Sequence, residues 1–332
     1  MSDSSQNHPN RRAFLSTAAT AVVGGAAATS SLVVPASAAT PLVGTQTPLV
    51  YRRKLGNYEI TVLGDGYVDL PHQIWANVSP EQADGYLADA FQPAGSIRNG
   101  VNAYLINTGD KLILVDSGAR DLFGPNAGLL PSNLASIGVQ PEDIDQVLIT
   151  HVHPDHIAGL YTAEGSVTIP NGEIFVDEAD LDFWTSEAAQ AQAVEISKPW
   201  FDVARQWKSA FNGRITTFKG EKDLGDGISA FPLPGHTPGH TGYRIESAGE
   251  TLLIIGDAVI SAAIQFANPD ASAIWDTNAE DGKKSRRTVF DVAANERTLV
   301  TATHLPFPSF GYVDRRADGS YAWVPEEWRY AT

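Results

Sequence analysis

The chain contains no cysteine and a single methionine in 332 residues. Disulfides are thereby excluded, and any metal ion must be held by nitrogen and oxygen donors. The lack of thiols also suits an oxidising compartment. Basic residues are scarce. Lys and Arg number 23 against 39 Asp and Glu, a formal net charge of −16. Such a surface repels phosphate backbones, which argues against a nucleic-acid partner. Charged residues are only 19% of the chain, whereas 43% are hydrophobic and seven are Trp. That balance excludes a disordered polymer and supports a real core, in one large domain or two small ones. No repeat of 20–50 residues is visible, which excludes a solenoid.

What is present begins with an address. Residues 10–16 read Asn-Arg-Arg-Ala-Phe-Leu-Ser and lead into an Ala/Gly/Val-rich stretch ending at Ala36-Ser37-Ala38. Paired arginines, an apolar middle and a small-x-small site describe a cleavable export signal. Arg11-Arg12 ahead of Phe14-Leu15 resembles the twin-arginine type, which carries folded proteins. Gly24, Gly25, Ser30 and Ser31 interrupt the apolar run, so no stable membrane span is expected after cleavage. The expectation is a signal at 1–38, an arm at 39–50 and one domain at 51–332, exported to the periplasm or medium.

Short β-rich runs, several of them continuously apolar, then recur at 58–63, 101–107, 111–115, 147–150 and 173–176. A second series follows at 228–233, 242–246, 251–255 and 299–303. Continuous runs of this length suit strands covered on both faces. Between the series, 178–211 has a helical pattern broken at Pro199, and 131–139 and 283–296 suit shorter helices. These patterns predict a layered α/β fold.

The chemistry is concentrated in Thr150-His151-Val152-His153-Pro154-Asp155-His156, directly after the run 147–150. Four ligand-type side chains in six positions, at a strand end where the chain can turn, form a pattern suited to zinc and similar divalent ions. His236 follows 228–233, within Pro234-Gly235-His236-Thr237-Pro238-Gly239-His240. Asp257 follows the run 251–255, and His304 follows 299–303. Each stands just beyond the C-terminal end of an apolar run, where sites of layered α/β proteins collect. Only His8, His72 and His240 fall outside the proposed ligand set.

His-x-His-x-Asp-His, then Gly-His-Thr-Pro-Gly-His, then Gly-Asp and a late His together resemble the metallo-β-lactamase superfamily pattern, from about residue 51 onward. The resemblance implies a four-layer αββα sandwich and two divalent ions, zinc first, with cobalt or manganese as alternatives. It places His151, His153 and His236 on the first ion, and Asp155, His156 and His304 on the second. Asp257 would bridge them, and Asp257 and Asp155 would be the catalytic carboxylates beside an activated water. Asp116 would orient ligands or simply form a turn, and His240 would support the site from outside the ligand set. The superfamily's flavodiiron oxidoreductases resemble His-x-Glu-x-Asp at the first cluster. His153 stands there in this chain, so hydrolysis is implied.

The segments 112–118, 122–125, 182–184 and 262–266 look like the methyl parathion hydrolase group, exported enzymes acting on organophosphate triesters, with relatives acting on aryl esters and lactones. That likeness implies an aromatic pocket for a small neutral substrate at Phe123, Trp184, Phe201, Ile260 and Ile274, and a possible homodimer. Acyl-homoserine lactonases of the superfamily carry a tyrosine shortly after the bridging aspartate, which assists the leaving alkoxide. Here 258–266 contain none. Stable leaving groups such as phenolates need no such acid. Alternatives are a lactonase using Tyr67 or His72 instead, a glutathione-thioester hydrolase, or a non-catalytic periplasmic binding protein. Glu326 and Glu327 do not supply the basic residues a glutathione site needs, and the complete ligand set argues against the non-catalytic reading.

Overall fold

Successive strand residues point alternately into different cores, so each sheet is covered on both faces. Ile113 and Val115 face one core while Leu114 faces another, and Leu252 and Ile254 are likewise separated from Leu253. The computed structural model describes residues 42–329, and the expected export signal (1–38) lies outside them. Residues from Thr47 onward form one unit.

The first sheet runs in chain order: β1 (Val50–Leu55), β2 (Tyr58–Pro71), β3 (Ser96–Asn107), β4 (Leu112–Val115), β5 (Gln146–Leu148), β6 (Glu173–Asp177) and β7 (Ile215–Phe218). Pairing is antiparallel as far as β4 and parallel beyond it. The second sheet contains β8 (Lys222–Gly225), β9 (Ile228–Pro232), β10 (Thr241–Ser247), β11 (Glu250–Ile254), β12 (Leu299–Thr301), β13 (Gly311–Arg315) and β14 (Tyr321–Pro325). Its one parallel pair is β11 with β12. The helices are α1 (Pro80–Asp89), α2 (Leu130–Ser136), α3 (Pro154–Ile157), α4 (Glu178–Thr185), α5 (Glu187–Gln192), α6 (Lys198–Ala210), α7 (Ala262–Gln265) and α8 (Ala279–Glu296).

Ile60, Val62, Tyr104 and Ile113 meet Tyr243, Ile245, Leu252 and Ile254 in a core between the two sheets. The outer face of the first sheet packs on α2, α4 and α6 through Leu134, Trp184, Phe201 and Trp207. The outer face of the second packs on α8 through Val289, Phe290 and Ala293. This is the expected αββα sandwich. The stretch 178–211 resolves into α4, α5 and α6. Pro199 occupies the first turn of α6, where a missing N–H costs nothing, so it begins a helix. The arm expected at 39–50 is partly built into the sheet, since β1 starts at Val50 and Gly64 donates to the Leu49 carbonyl.

In each sheet a parallel pair lies next to an antiparallel one, and the chain leaves both parallel strands toward the site. Asp116 follows β4 and His151 follows β5, while Asp257 follows β11 and His304 follows β12. β2 and β3 overrun this end, and a bulge between Gly64 and Gly66 bends their extension. Gly66 has φ +123°, and a Cβ there would lie 1.9 Å from the Asn126 carbonyl oxygen, so only glycine fits.

The bulge also turns Asp65 inward, where its carboxylate accepts N–H bonds from Ala119, Gly128 and Leu130. Burial pushes this acid from its ordinary 3.8 up to about 6. The native chain therefore binds that proton more tightly than the unfolded chain. The resulting stability is fully present below the unfolded value and is lost as pH rises through about 6. In metal-free protein, the stability of wild type relative to Asp65→Asn is expected to be greater at about pH 4 than at about pH 7.5, by roughly 2–3 kcal/mol. Urea unfolding at both pH values measures it, and a difference independent of pH would refute the assignment.

Candidate metal centre

The loop after β5 turns at His153 into the short helix α3, with Pro154 in its first turn. That turn brings His151, His153, Asp155 and His156 to one end of the sandwich, all buried. The 234–240 turn adds His236 between β9 and β10, and the segments after β11 and β12 add Asp257 and His304. Two groups result. Ligand atoms of His151, His153, His236 and Asp257 lie within 4.8 Å of one another, and so do those of Asp155, His156 and His304.

Within the first group, His153 Nδ1 lies 2.9 Å from His151 Nε2 and 3.1 Å from His236 Nε2. Three imidazole nitrogens this close need a cation or shared protons between them. Asp257 stands between the groups. Its Oδ2 is 3.0 Å from His304 Nε2, 3.4 Å from His236 Nε2 and 3.8 Å from His151 Nε2, and its Oδ1 is 3.4 Å from His156 Nε2. Asp155 Oδ2 lies 3.6 Å from His156 Nε2 and 3.4 Å from His304 Nε2. His156 Nε2 and Asp257 Oδ1 are buried without a hydrogen-bond partner. Such atoms are costly to leave bare, and divalent ions would satisfy them.

The electrostatics point the same way. Burial and the neighbouring imidazoles hold His151 and His153 well below the usual histidine range. Burial alone would depress His156 and His304 too, but nearby carboxylates raise both. Burial alone would raise Asp257, yet His304, His156 and His151 hold it well below the carboxylate range. The three carboxylates thus stabilise positive charge at this point, which is the charge pattern a divalent pair would take over while displacing protons.

The far side of each imidazole is also tied. Asp116 accepts from His156 Nδ1 at 2.8 Å and from the Thr150 N–H and hydroxyl at 2.9 and 2.8 Å. It holds φ +59°, a sparsely populated conformation for a non-glycine residue, so it both makes the turn and aims a ligand. His304 Nδ1 donates to the Gly100 carbonyl at 2.7 Å. His236 Nδ1 meets Asp276 Oδ1 at 2.7 Å, and Asp276 also accepts from the Ala273 N–H. Such partners fix ring orientation and raise ligand basicity. Asp276 escapes sequence reading, because no spacing rule connects it with His236.

His240 is no ligand. Its Nδ1 donates to the Leu233 carbonyl and its Nε2 accepts the Asp257 N–H at 2.9 Å, which requires the neutral ring. Burial pushes it down to about 3. Gly256 permits this contact, since a Cβ there would lie 2.6 Å from His240 Nε2.

The aromatic residues expected around the substrate separate into two sets. Trp184, Phe201 and Ile274 line a cavity of about 450 Å³ together with Trp275 and Asp276. Phe123, half-buried on the loop after β4, and Ile260, packed among Ile74, Ile264 and Trp275, do not line it. Trp184 and Phe201 are themselves fully buried core residues. The half-buried aromatic at the centre is Trp200, whose ring lies 4.8 Å from His153 and 5.9 Å from Trp275. A groove of about 560 Å³ between β9, β10 and α8 shares no residue with the centre. Tyr67 stacks under Arg98, and His72 Nδ1 donates to Asp84 at 2.6 Å.

Comparison with known proteins agrees with this geometry. The solved structure of the hydrolase AbOPH, described as in the beta lactamase superfamily, superposes with a TM-score of 0.80 at 30% identity, over 86% of this chain and 100% of that one. AidC, described as a dizinc quorum-quenching lactonase, superposes with a TM-score of 0.80 at 27% identity, over 85% of this chain and 99% of its own. The N-acyl homoserine lactonase AiiB of Agrobacterium fabrum is 26% identical over 245 residues, 67% of this chain and 84% of AiiB. Residues 97–304, more than half of the chain, match the family described as the Metallo-beta-lactamase superfamily. On that match and on the histidine–aspartate centre at the strand ends, the chain belongs to the metallo-β-lactamase superfamily of metal-dependent hydrolases.

Proposed function

We propose that the chain is a dinuclear hydrolase of neutral aryl esters, lactones or organophosphate triesters, close to the methyl parathion hydrolase group. The observation that carries the dinuclear reading is the Asp257 carboxylate, placed between two separate ligand groups. His151, His153 and His236 would hold one ion, Asp155, His156 and His304 the other, and Asp257 both. When bound, the two ions would supply Lewis acidity and a water molecule acidified to a pKa of about 7.

The chain's own residues orient and enclose. Asp116, Asp276 and the Gly100 carbonyl fix the far nitrogens of His156, His236 and His304. Trp184 and Trp200 cover one side of His153 and keep water from it. The cavity offers apolar walls to an uncharged organic group at Phe183, Trp184, Ile274 and Trp275, with Gln192, Ser197 and Asp276 as polar groups in the same lining. Similarity to AidC and AiiB supports a second reading, an acyl-homoserine-type lactonase.

Purified protein lacking residues 1–38 is expected to bind about two equivalents of zinc, cobalt or manganese per chain, and to hydrolyse members of an aryl ester, lactone and phosphotriester panel. Elemental analysis with activity titration measures this. Saturation at one equivalent with full activity would refute the dinuclear assignment.

A further inference from the structure

Asp180 is fully buried in the first turn of α4, and the ligand set does not use it. Its Oδ2 accepts the N–H of Val152 at 2.6 Å, between His151 and His153. Its Oδ1 accepts the N–H of Gly239 at 2.9 Å, in the turn that carries His236 and His240. One carboxylate thus joins the backbones of two ligand-bearing loops. The contact depends on glycine, because a Cβ on Gly239 would lie 2.6 Å from the Asp180 nitrogen and 2.8 Å from its Cβ. The same turn reaches the backbone of the residue that bears the shared carboxylate, since His240 Nε2 accepts the Asp257 N–H. At their base the loops are joined by the Thr241 N–H to the Thr150 carbonyl, so Asp180 is the tie nearer the ligands.

We infer that Asp180 is a positioning residue that sets the separation of the His151/His153 loop from the His236 turn, and with it the affinity for the first ion. This rests on the proposed dinuclear centre. Two divergent N–H groups need two acceptors, which a carboxylate provides and an amide does not. In Asp180→Asn one N–H is left facing an NH2 group, and the loops must part.

The test compares wild type, Asp180→Asn, Asp180→Glu and Asp177→Asn. Asp177 caps the same helix and accepts from Ala179 and Gly220, neither on a ligand-bearing loop, and meets the His236 turn only by packing beside Gly239, without a hydrogen bond to it. Zinc affinity is measured by competition with a chromophoric chelator, site geometry by the absorption bands of the cobalt-substituted protein, and stability by melting of metal-free protein. Asp180→Asn is expected to bind the first ion about 10–100-fold more weakly, with altered cobalt bands. Asp180→Glu, which keeps both acceptors, should recover part of the affinity and supplies the reading if the Asn variant does not fold. Asp177→Asn should lower the melting temperature without changing affinity. Wild-type affinity and cobalt bands in the Asp180 variants, whatever their stability, would overturn the inference alone. Saturation of wild type below two equivalents would overturn the dinuclear reading and this inference with it.

Discussion

Asp257→Ala is expected to abolish retention of both ions and to lower turnover by at least about 10³-fold, whereas His240→Ala loses about 10–100-fold. The difference follows from what each residue touches. The Asp257 carboxylate lies within 4 Å of His151, His156, His236 and His304, whereas His240 hydrogen-bonds the Asp257 backbone N–H and the Leu233 carbonyl and packs its ring edge-on against His151. Removing the carboxylate leaves two adjacent positive sites in a buried pocket with Asp155 as the one carboxylate remaining in the ligand set, a cost that truncation of one buried charge partner usually carries. Removing His240 frees the 256–258 backbone but leaves every ligand atom in place. Metal content after dialysis, with kcat and KM on a chromogenic aryl ester, distinguishes the two. Near-normal turnover by the Asp257 variant would show that the bridge is misassigned.

The ligand set was legible because each member is of a rare, specific type and sits just after an apolar run. Three histidines and an aspartate within six positions at a strand end would crowd imidazoles and carboxylates together at a cost that a bound cation relieves. The supporting residues obey no such rule. Asp276 and Asp180 meet their partners across 40 and 28 positions, through folding alone. The aromatic wall shows a different limit. Trp200 and Phe201 are neighbours on α6, about 100° apart around the helix, and composition does not say which faces the metal centre. Phe201 took the core and Trp200 the site. The strands absent from the sequence reading, β1, β7, β8, β13 and β14, all expose part of their length, so they lack the apolar run that betrays a covered strand. The tail of β2 was hidden by Gly64 and Gly66, which read as breakers and prove to be the bulge.

The rate of the enzyme is expected to depend steeply on how well the departing oxygen carries negative charge. No tyrosine follows Asp257 within 258–266, and the buried tyrosines are engaged elsewhere. The Tyr243 hydroxyl donates to the Ile149 carbonyl, that of Tyr161 to the Val203 carbonyl and that of Tyr321 to the Asp291 carboxylate, and that of Tyr104 lies with Thr301 and Ser309. With no tyrosine in that segment to supply a proton, a phenolate can leave unaided and an alkoxide cannot. Across substituted phenyl esters or diethyl aryl phosphates, log kcat/KM should fall as the phenol's pKa rises, and an alkyl lactone should be a far poorer substrate than an aryl lactone of similar size. The variant that tests the aromatic wall is Trp200→Ala. Truncating the core residues Trp184 or Phe201 would cost about 3–5 kcal/mol of stability and confuse the result. Trp200→Ala should weaken binding of aryl substrates by about 1–3 kcal/mol while metal content stays unchanged. A flat dependence on leaving-group pKa, with alkyl lactones equally good, would mean that another group supplies the proton. His72, whose Nδ1 is held by Asp84, is then the residue to replace, and its loss should restore the missing slope.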